Sequence, residues 1–188
     1  MSIDPLLDHT GPWTEEEFFA LGVTNNRIEL VDGSLWATPN ANGPHQRISR
    51  HLTEMINPEP RAIGKELLAT TDVRLAPHRI VIPDLIIGTF PRVFTTAEAS
   101  DVTLVCEITS PSNAAVDRIM KKDFYAAAKI PWYLLVEPDM KAYESVNVRL
   151  FRLDGDKYIE HAAATQGETL TSDEPYPISI DTDRLLDF

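Results

Sequence analysis

The sequence has one cysteine, Cys106, and it lies inside an apolar run. A lone cysteine excludes an intramolecular disulfide and any zinc site assembled from several thiolates. Long hydrophobic runs are missing too, since the longest stop well short of the ~20 residues that a membrane helix needs. The opening residues MSIDPLLDHTGPW carry neither the basic stretch nor the apolar core of a secretory leader, so a soluble cytoplasmic protein without a membrane partner is expected. Positive charge is scarce: 17 Lys and Arg stand against 29 Asp and Glu, a formal net charge of −12. That background disfavours a general polyanion binder unless cations are concentrated locally or bound metal ions offset the acidity. Arg118, Lys121, Lys122 and Lys129 supply one such concentration.

No internal repeat or low-complexity segment divides the chain, and hydrophobic (43%) and charged (24%) fractions are those of an ordinary folded domain. Residues 1–188 therefore read as one domain, with 1–13 as an N-terminal arm and 14–187 as the core. Thr14-Glu-Glu-Glu17 is a capping box that opens a short helix to about residue 21. Residues 27–36 form a hairpin around Asp32-Gly33, because Asp-Gly supplies the positive φ angles of a tight turn. Pro44 opens a helix with Ile48, Leu52, Met55 and Ile56 at helical spacing, closed by Pro58 and Pro60. Strands are expected over 66–70, 71–75, 80–88 and 102–109, the last two as neighbours in the core. A helix capped by Asn113 then runs to about Lys129, followed by a buried strand over 132–136. A second Asp-Gly hairpin (146–153 and 157–159), a polar stretch and a short helix near 182–187 complete the chain. The fold class is α/β (α+β): a mixed central sheet flanked by helices, with β-hairpins near both ends.

Two acids sit where acids are least expected. Asp84 interrupts Ile80-Val-Ile-Pro-Asp-Leu-Ile-Ile87, on the face that alternation gives to Ile82 and Ile86. Glu107 interrupts Val102-Thr-Leu-Val-Cys-Glu-Ile-Thr109, with Val105 and Thr109. Singly, Asp84 reads equally well as a turn residue after Pro83, and Glu107 as the partner of Lys121 or Arg118. Together they make a stronger case: ionised carboxylates on adjacent core strands repel one another unless a hard cation bridges them. On a helical wheel Val116, Met120, Phe124 and Ala127 form the apolar stripe, Lys121 lies at its margin and Lys122 points to solvent. A pair with Asp117 is the alternative role for Lys121. His45 lies on the side of Ile48 and Leu52, which admits either a place facing the acids or a helix-terminal histidine with no ligand role, the second being preferred. Phe124, Trp132 and Tyr133 read as core, whereas Tyr125 could pack or line a substrate site.

Six segments carry a resemblance: Arg-Ile-Glu-Leu-Val-Asp-Gly (27–33), Pro-His-Gln-Arg (44–47), Val-Ile-Pro-Asp-Leu (81–85), Glu-Ile-Thr-Ser-Pro-Ser (107–112), Asp-Arg-Ile-Met-Lys-Lys-Asp-Phe-Tyr-Ala (117–126) and Ile-Pro-Trp-Tyr-Leu-Leu-Val-Glu-Pro (130–138). In this order they resemble the bacterial Uma-two family, classed with restriction endonucleases of the PD-(D/E)xK type, over about residues 14–187. The resemblance implies a restriction-endonuclease-like fold, with Asp84 and Glu107 as metal-binding acids and Glu29 as a supporting acid. The wider superfamily has a lysine two residues after the second acid. Thr109 stands there in this chain, and Lys121 matches the family's lysine on the following helix.

The reading implied is a Mg²⁺- or Mn²⁺-dependent endonuclease acting on nucleic acid, with DNA favoured as substrate. Asp84, Glu107 and Lys121 would carry the chemistry, and His45, Thr109 and Tyr125 are candidates to line the substrate site. A catalytically silent nuclease-fold module for binding or regulation is the alternative. A metal-free carboxylate-pair hydrolase acting on a glycan is a third. A homodimer is compatible with the sequence, and nothing in it specifies one.

Overall fold

In the computed structural model the described residues are 9–22, 24, 26–38, 41–56, 58–109 and 120–188. The first part of the chain holds α1 (Glu15–Ala20), β1 (Arg27–Val31), β2 (Ser34–Thr38), α2 (Gly43–Ile56) and α3 (Pro58–Ala62). Strands β3 (Glu66–Ala69), β4 (Val73–Ala76), β5 (Arg79–Val81), β6 (Leu85–Gly88), β7 (Ala97–Glu98) and β8 (Val102–Ile108) follow. The remainder is α4 (Lys122–Ala127), β9 (Trp132–Pro138), β10 (Val146–Asp154), β11 (Lys157–Ala164), β12 (Thr169–Ser172), β13 (Ile178–Asp181) and α5 (Thr182–Leu185).

A six-stranded sheet, β11-β10-β9-β8-β6-β3, forms the centre, and a five-stranded sheet, β2-β1-β5-β4-β7, lies beside it. Only β8–β9 in the larger sheet is a parallel pair, so the sheet is mixed, as expected. One face packs on Ile48, Leu52 and Ile56 of α2 and on Leu170, Ile178, Ile180 and Leu185 from the C-terminal elements. The other face, through Ile86, Val105, Tyr133 and Leu135, meets Tyr125 and Ala126 of α4 and Val73 and Val81 of the smaller sheet. Among the described residues no helix is long and apolar enough to cross a membrane.

The Thr14 capping box and the Asp32-Gly33 hairpin form as the sequence dictates. Three expectations change. Ile80 to Gly88 is two strands in different sheets, because Pro83 has no N–H to give a ladder and the chain crosses between sheets at Ile82–Asp84. Pro58 starts the short helix α3 directly after α2, since proline suits a first helical turn. The polar stretch after residue 160 extends β11 and holds the hairpin β12–β13, whose Leu170, Ile178 and Ile180 are buried by alternation. Asn113 and residues 110–119 lie outside the described residues; from Lys122 the expected helix is present and ends at Ala127.

Candidate active site

β6 and β8 pair antiparallel with Leu85 opposite Cys106 and Ile86 opposite Val105. One step further along the same register, Asp84 falls opposite Glu107, at the point where Pro83 sends the chain into the other sheet. Residues directly opposite one another hold their Cβ atoms about 4.5–5.5 Å apart in a regular ladder. Both side chains are buried, at 4% and 2% exposure, as is Glu29 on β1, at 2%.

Each carboxylate has built-in partners. Asp84 Oδ1 accepts from Arg27 Nη1 at 2.9 Å, and its Oδ2 accepts from the Ile108 amide at 2.8 Å and lies 3.1 Å from His45 Nε2. Burial alone would raise the Asp84 pKa, but His45, Arg27 and the Ile108 amide outweigh it and hold the carboxyl at about 2. Asp84 is therefore ionised across the physiological range. Glu29 Oε1 accepts from the Ile82 amide at 2.7 Å and from Lys121 Nζ at 2.8 Å. The same ammonium lies 3.3 Å from Glu107 Oε1, which also accepts from the Tyr125 hydroxyl. Burial and the charges of Glu107 and Glu29 push the Tyr125 pKa well up, so its hydroxyl remains a neutral donor. Arg27 also feels all three acids: burial opposes its charge, yet Asp84, Glu107 and Glu29 raise its pKa.

The structure thus brings Asp84, Glu107, Glu29, Lys121, His45 and Tyr125 around one point. His45 touches Asp84 because Asn42 caps α2, its side chain accepting from the His45 amide at 3.0 Å and setting the first turn against the sheet. It therefore faces the acids from the first turn of α2. Tyr125 is fully buried and binds Glu107, so it holds an acid and does not line an open surface. Thr109 sits at the end of β8, buried at 2%, with its amide given to Val136 and its hydroxyl without a partner among the described residues.

The helical wheel needs rotation. Met120 is 40% exposed and Ala127 is exposed, whereas Lys121, Tyr125 and Ala126 are buried. Met120 and Lys121 form a wide π-type turn leading into α4, and the pull of two acids on Lys121 and of Glu107 on Tyr125 turns the polar side of the helix inward. Lys122 does not project into solvent: it is half-buried, with Nζ 3.6 Å from the centre of the Phe151 ring. Lys122→Ala should therefore lower stability by about 0.5–1 kcal/mol through the lost cation–π contact, read as a lower urea midpoint, and leave the acids in place. Asp117 and Arg118, offered as partners for Lys121 and Glu107, lie outside the described residues.

Arg27 is the site residue that sequence reasoning missed. Its signal is local: it stands two residues before Glu29 on β1 and so shares a face with it.

The profile of the Uma2 family, described as "Putative restriction endonuclease", matches residues 15–184. Among solved structures the chain is similar to a crystal structure from Anabaena variabilis ATCC 29413, described as that of "a putative nuclease belonging to DUF820". The TM-score is 0.68 at 17% identity, covering 93% of this chain and 98% of the other, a likeness of fold. Comparison with curated proteins finds no match. A match over 15–184, encompassing every residue that converges on the buried acids, places the chain in the Uma2 family.

Proposed function

We propose that the protein is a metal-dependent nuclease that hydrolyses phosphodiester bonds, with DNA the favoured substrate. The observation that carries the reading is the meeting of three buried carboxylates from separate segments with one buried lysine, inside a family of the restriction-endonuclease class. Among the described residues Asp84, Glu107 and Glu29 face Arg27, Lys121 and, at Asp84, the His45 ring. Their donors are hard oxygens, and Glu29 Oε2 is buried with no hydrogen-bond partner among the described residues. This donor chemistry fits Mg²⁺ or Mn²⁺. Asp84 and Glu107 would hold the ion, with Glu29 in support, and the bound ion would supply Lewis-acid polarisation of the phosphate and a more acidic water.

The chain's own residues do the rest. Tyr125 fixes Glu107, and His45 with the Ile108 amide fixes Asp84, so the acids keep their orientation without substrate. Arg27 and Lys121 screen the acids from one another. Lys121 bridges Glu29 and Glu107, a place from which its ammonium can orient a water or stabilise charge developing on a phosphate. The experiment is cleavage of supercoiled DNA and of labelled single strands with Mg²⁺ or Mn²⁺ and with EDTA. Cleavage confined to the metal lanes is expected; metal-independent cleavage, or none on any substrate, sinks the proposal.

One observation favours the silent-module reading. Among the described residues no three His, Cys, Asp or Glu side chains are grouped closely enough to hold an ion, and Arg27 and Lys121 bind the acids directly. On that reading the cations replace the metal, and added metal changes neither activity nor stability.

A further inference from the structure

The outer edge of the six-stranded sheet has a chemistry that the buried acids do not use. Among the described residues strand β3 pairs only with β6, and beside it lies an open hollow of about 650 Å³ lined by Leu68, Thr70, Asp72, Phe90, Arg92 and Phe94. A second hollow of about 400 Å³, lined by Arg61 and Lys65, adjoins it and shares Glu66 and Leu68. The two form one path along the strand.

Two features of this path suit an anionic strand that carries bases. Several arginines and lysines of this acidic chain are tied to acids: Arg74 to Glu15, Arg79 to Asp32, Lys129 to Asp156, Arg149 to Glu137 and Arg152 to Glu174. Arg61, Lys65 and Arg92 make no ion pair among the described residues, and Lys65 is held in place by Thr103 Oγ1 at 2.9 Å. Phe90 and Phe94 stack at 5.5 Å between ring centres, each half-buried, so part of each ring faces the hollow.

The path also leads to the acids. Leu68, Phe90 and Phe94 pack on the cluster that contains Ile86, Val105 and Tyr125, on the side of the sheet where Tyr125 binds Glu107. At one end the Thr70 amide donates to the Asp84 carbonyl at 3.2 Å. The four residues of β3 span about 13 Å at ~3.3 Å each, the reach of roughly two nucleotides.

We propose that this edge groove binds an unpaired stretch of nucleic-acid strand, with a base against Phe90 and Phe94 and phosphates near Arg92, Arg61 and Lys65. The inference rests on the nucleic-acid reading above and deepens it by naming the form of substrate. Inside a duplex both faces of a base are already stacked, so recessed aromatic rings reach a base only when it is unpaired or turned out. The volume lies within the ~300–1,000 Å³ of sites that enclose small ligands, enough for a nucleotide. Glu66, which is exposed, and Asp72, which is half-buried, are the acids that the phosphates would pass.

The test is equilibrium binding of fluorescently labelled dT12 and rU12 to the full chain, by anisotropy in EDTA at low ionic strength, alongside metal-dependent cleavage assays of the same variants. Phe94→Ala should weaken binding about fivefold or more, the scale of one lost stacking contact. Arg92→Ala should flatten the dependence of log affinity on log salt by about 0.7, one phosphate's share for a single strand. Glu66→Gln should tighten binding, and Lys157→Ala, at the opposite edge of the sheet, should match wild type. Arg92 and Glu66 are exposed, so their substitution leaves the core intact. The arm that binds tells DNA from RNA. No binding of either strand, or equal affinities and salt slopes in wild type, Arg92→Ala and Glu66→Gln, overturns the groove, and metal-dependent cleavage in those same proteins would show that the nuclease reading survives it. The reverse pattern, altered binding with no cleavage by any protein, supports the groove while the nuclease reading fails.

Discussion

Lys121→Ala should reduce metal-dependent cleavage by about 10²–10⁴-fold, the usual loss when a positioned proton-transfer or charge-stabilising group is removed, while Lys122→Ala stays within a few-fold of wild type. Glu107→Ala should abolish cleavage. The two lysines are adjacent in sequence and differ in surroundings: Lys121 is 4% exposed and lies 2.8 Å from Glu29 and 3.3 Å from Glu107, whereas Lys122 lies over the Phe151 ring. General attraction between a cation and a nucleic acid would treat both alike, and would vanish from both as salt rises. A positioned ammonium would not. Single-turnover rates at saturating metal and low ionic strength make the comparison. Equal losses in the two variants would reduce Lys121 to general charge, and cleavage that survives Glu107→Ala would remove the acids from the reaction.

The parts of this site that can be read from the sequence are those in which a residue contradicts its surroundings. Asp84 and Glu107 announce themselves because an ionised side chain amid Ile, Val and Leu must have a partner. The pairing of their strands follows from the same apolar runs, and the register sets Leu85 opposite Cys106, beside the two acids. What alternation could not show is that Asp84 belongs to no strand. Pro83 breaks the ladder, and the carboxylate sits at the divergence of two sheets, where Arg27 of one sheet and the Ile108 amide of the other both reach it.

The helix is instructive for the opposite reason. A wheel built on hydrophobicity puts Met120, Phe124 and Ala127 inward; Phe124 does pack on the core, but Met120 and Ala127 are exposed, and Lys121 and Tyr125 are buried instead. Periodicity locates an apolar stripe only when the surface facing it is apolar. Here the facing surface carries Glu29 and Glu107, and buried polar atoms must be satisfied first. His45 is opaque for a related reason: its role depends on a partner 39 residues away, and no local pattern encodes such a distance. The β12–β13 hairpin was lost in a polar stretch because its strands have only four residues each.

Lys121→Met should destabilise the metal-free protein by about 3–5 kcal/mol, the cost of breaking a buried ion pair from one side. The reason lies in what remains. Glu29 and Glu107, each 2% exposed, would lose the ammonium that lies within 3.3 Å of both. Their charges would then oppose one another in a poorly solvated site. On the proposed reading a divalent cation should restore what the lysine supplied, because it would take the same oxygens and bind the native state only. At 100 times its dissociation constant such a ligand adds ~2.7 kcal/mol. Wild type should gain less at the same Mn²⁺ concentration, since there Lys121 competes for the acids and the ion binds more weakly. Asp84→Ala should gain least of the three, having lost one of the two proposed ligands. Urea titrations of the three proteins in EDTA and in millimolar Mn²⁺ give these differences directly, with Lys122→Ala as the control for a cation outside the site. A variant that unfolds in EDTA and folds in Mn²⁺ would be the extreme of the expected result. Equal Mn²⁺ responses in wild type, Lys121→Met and Asp84→Ala would put any bound ion elsewhere, and the acids around Lys121 would then be a structural network whose cations already satisfy it.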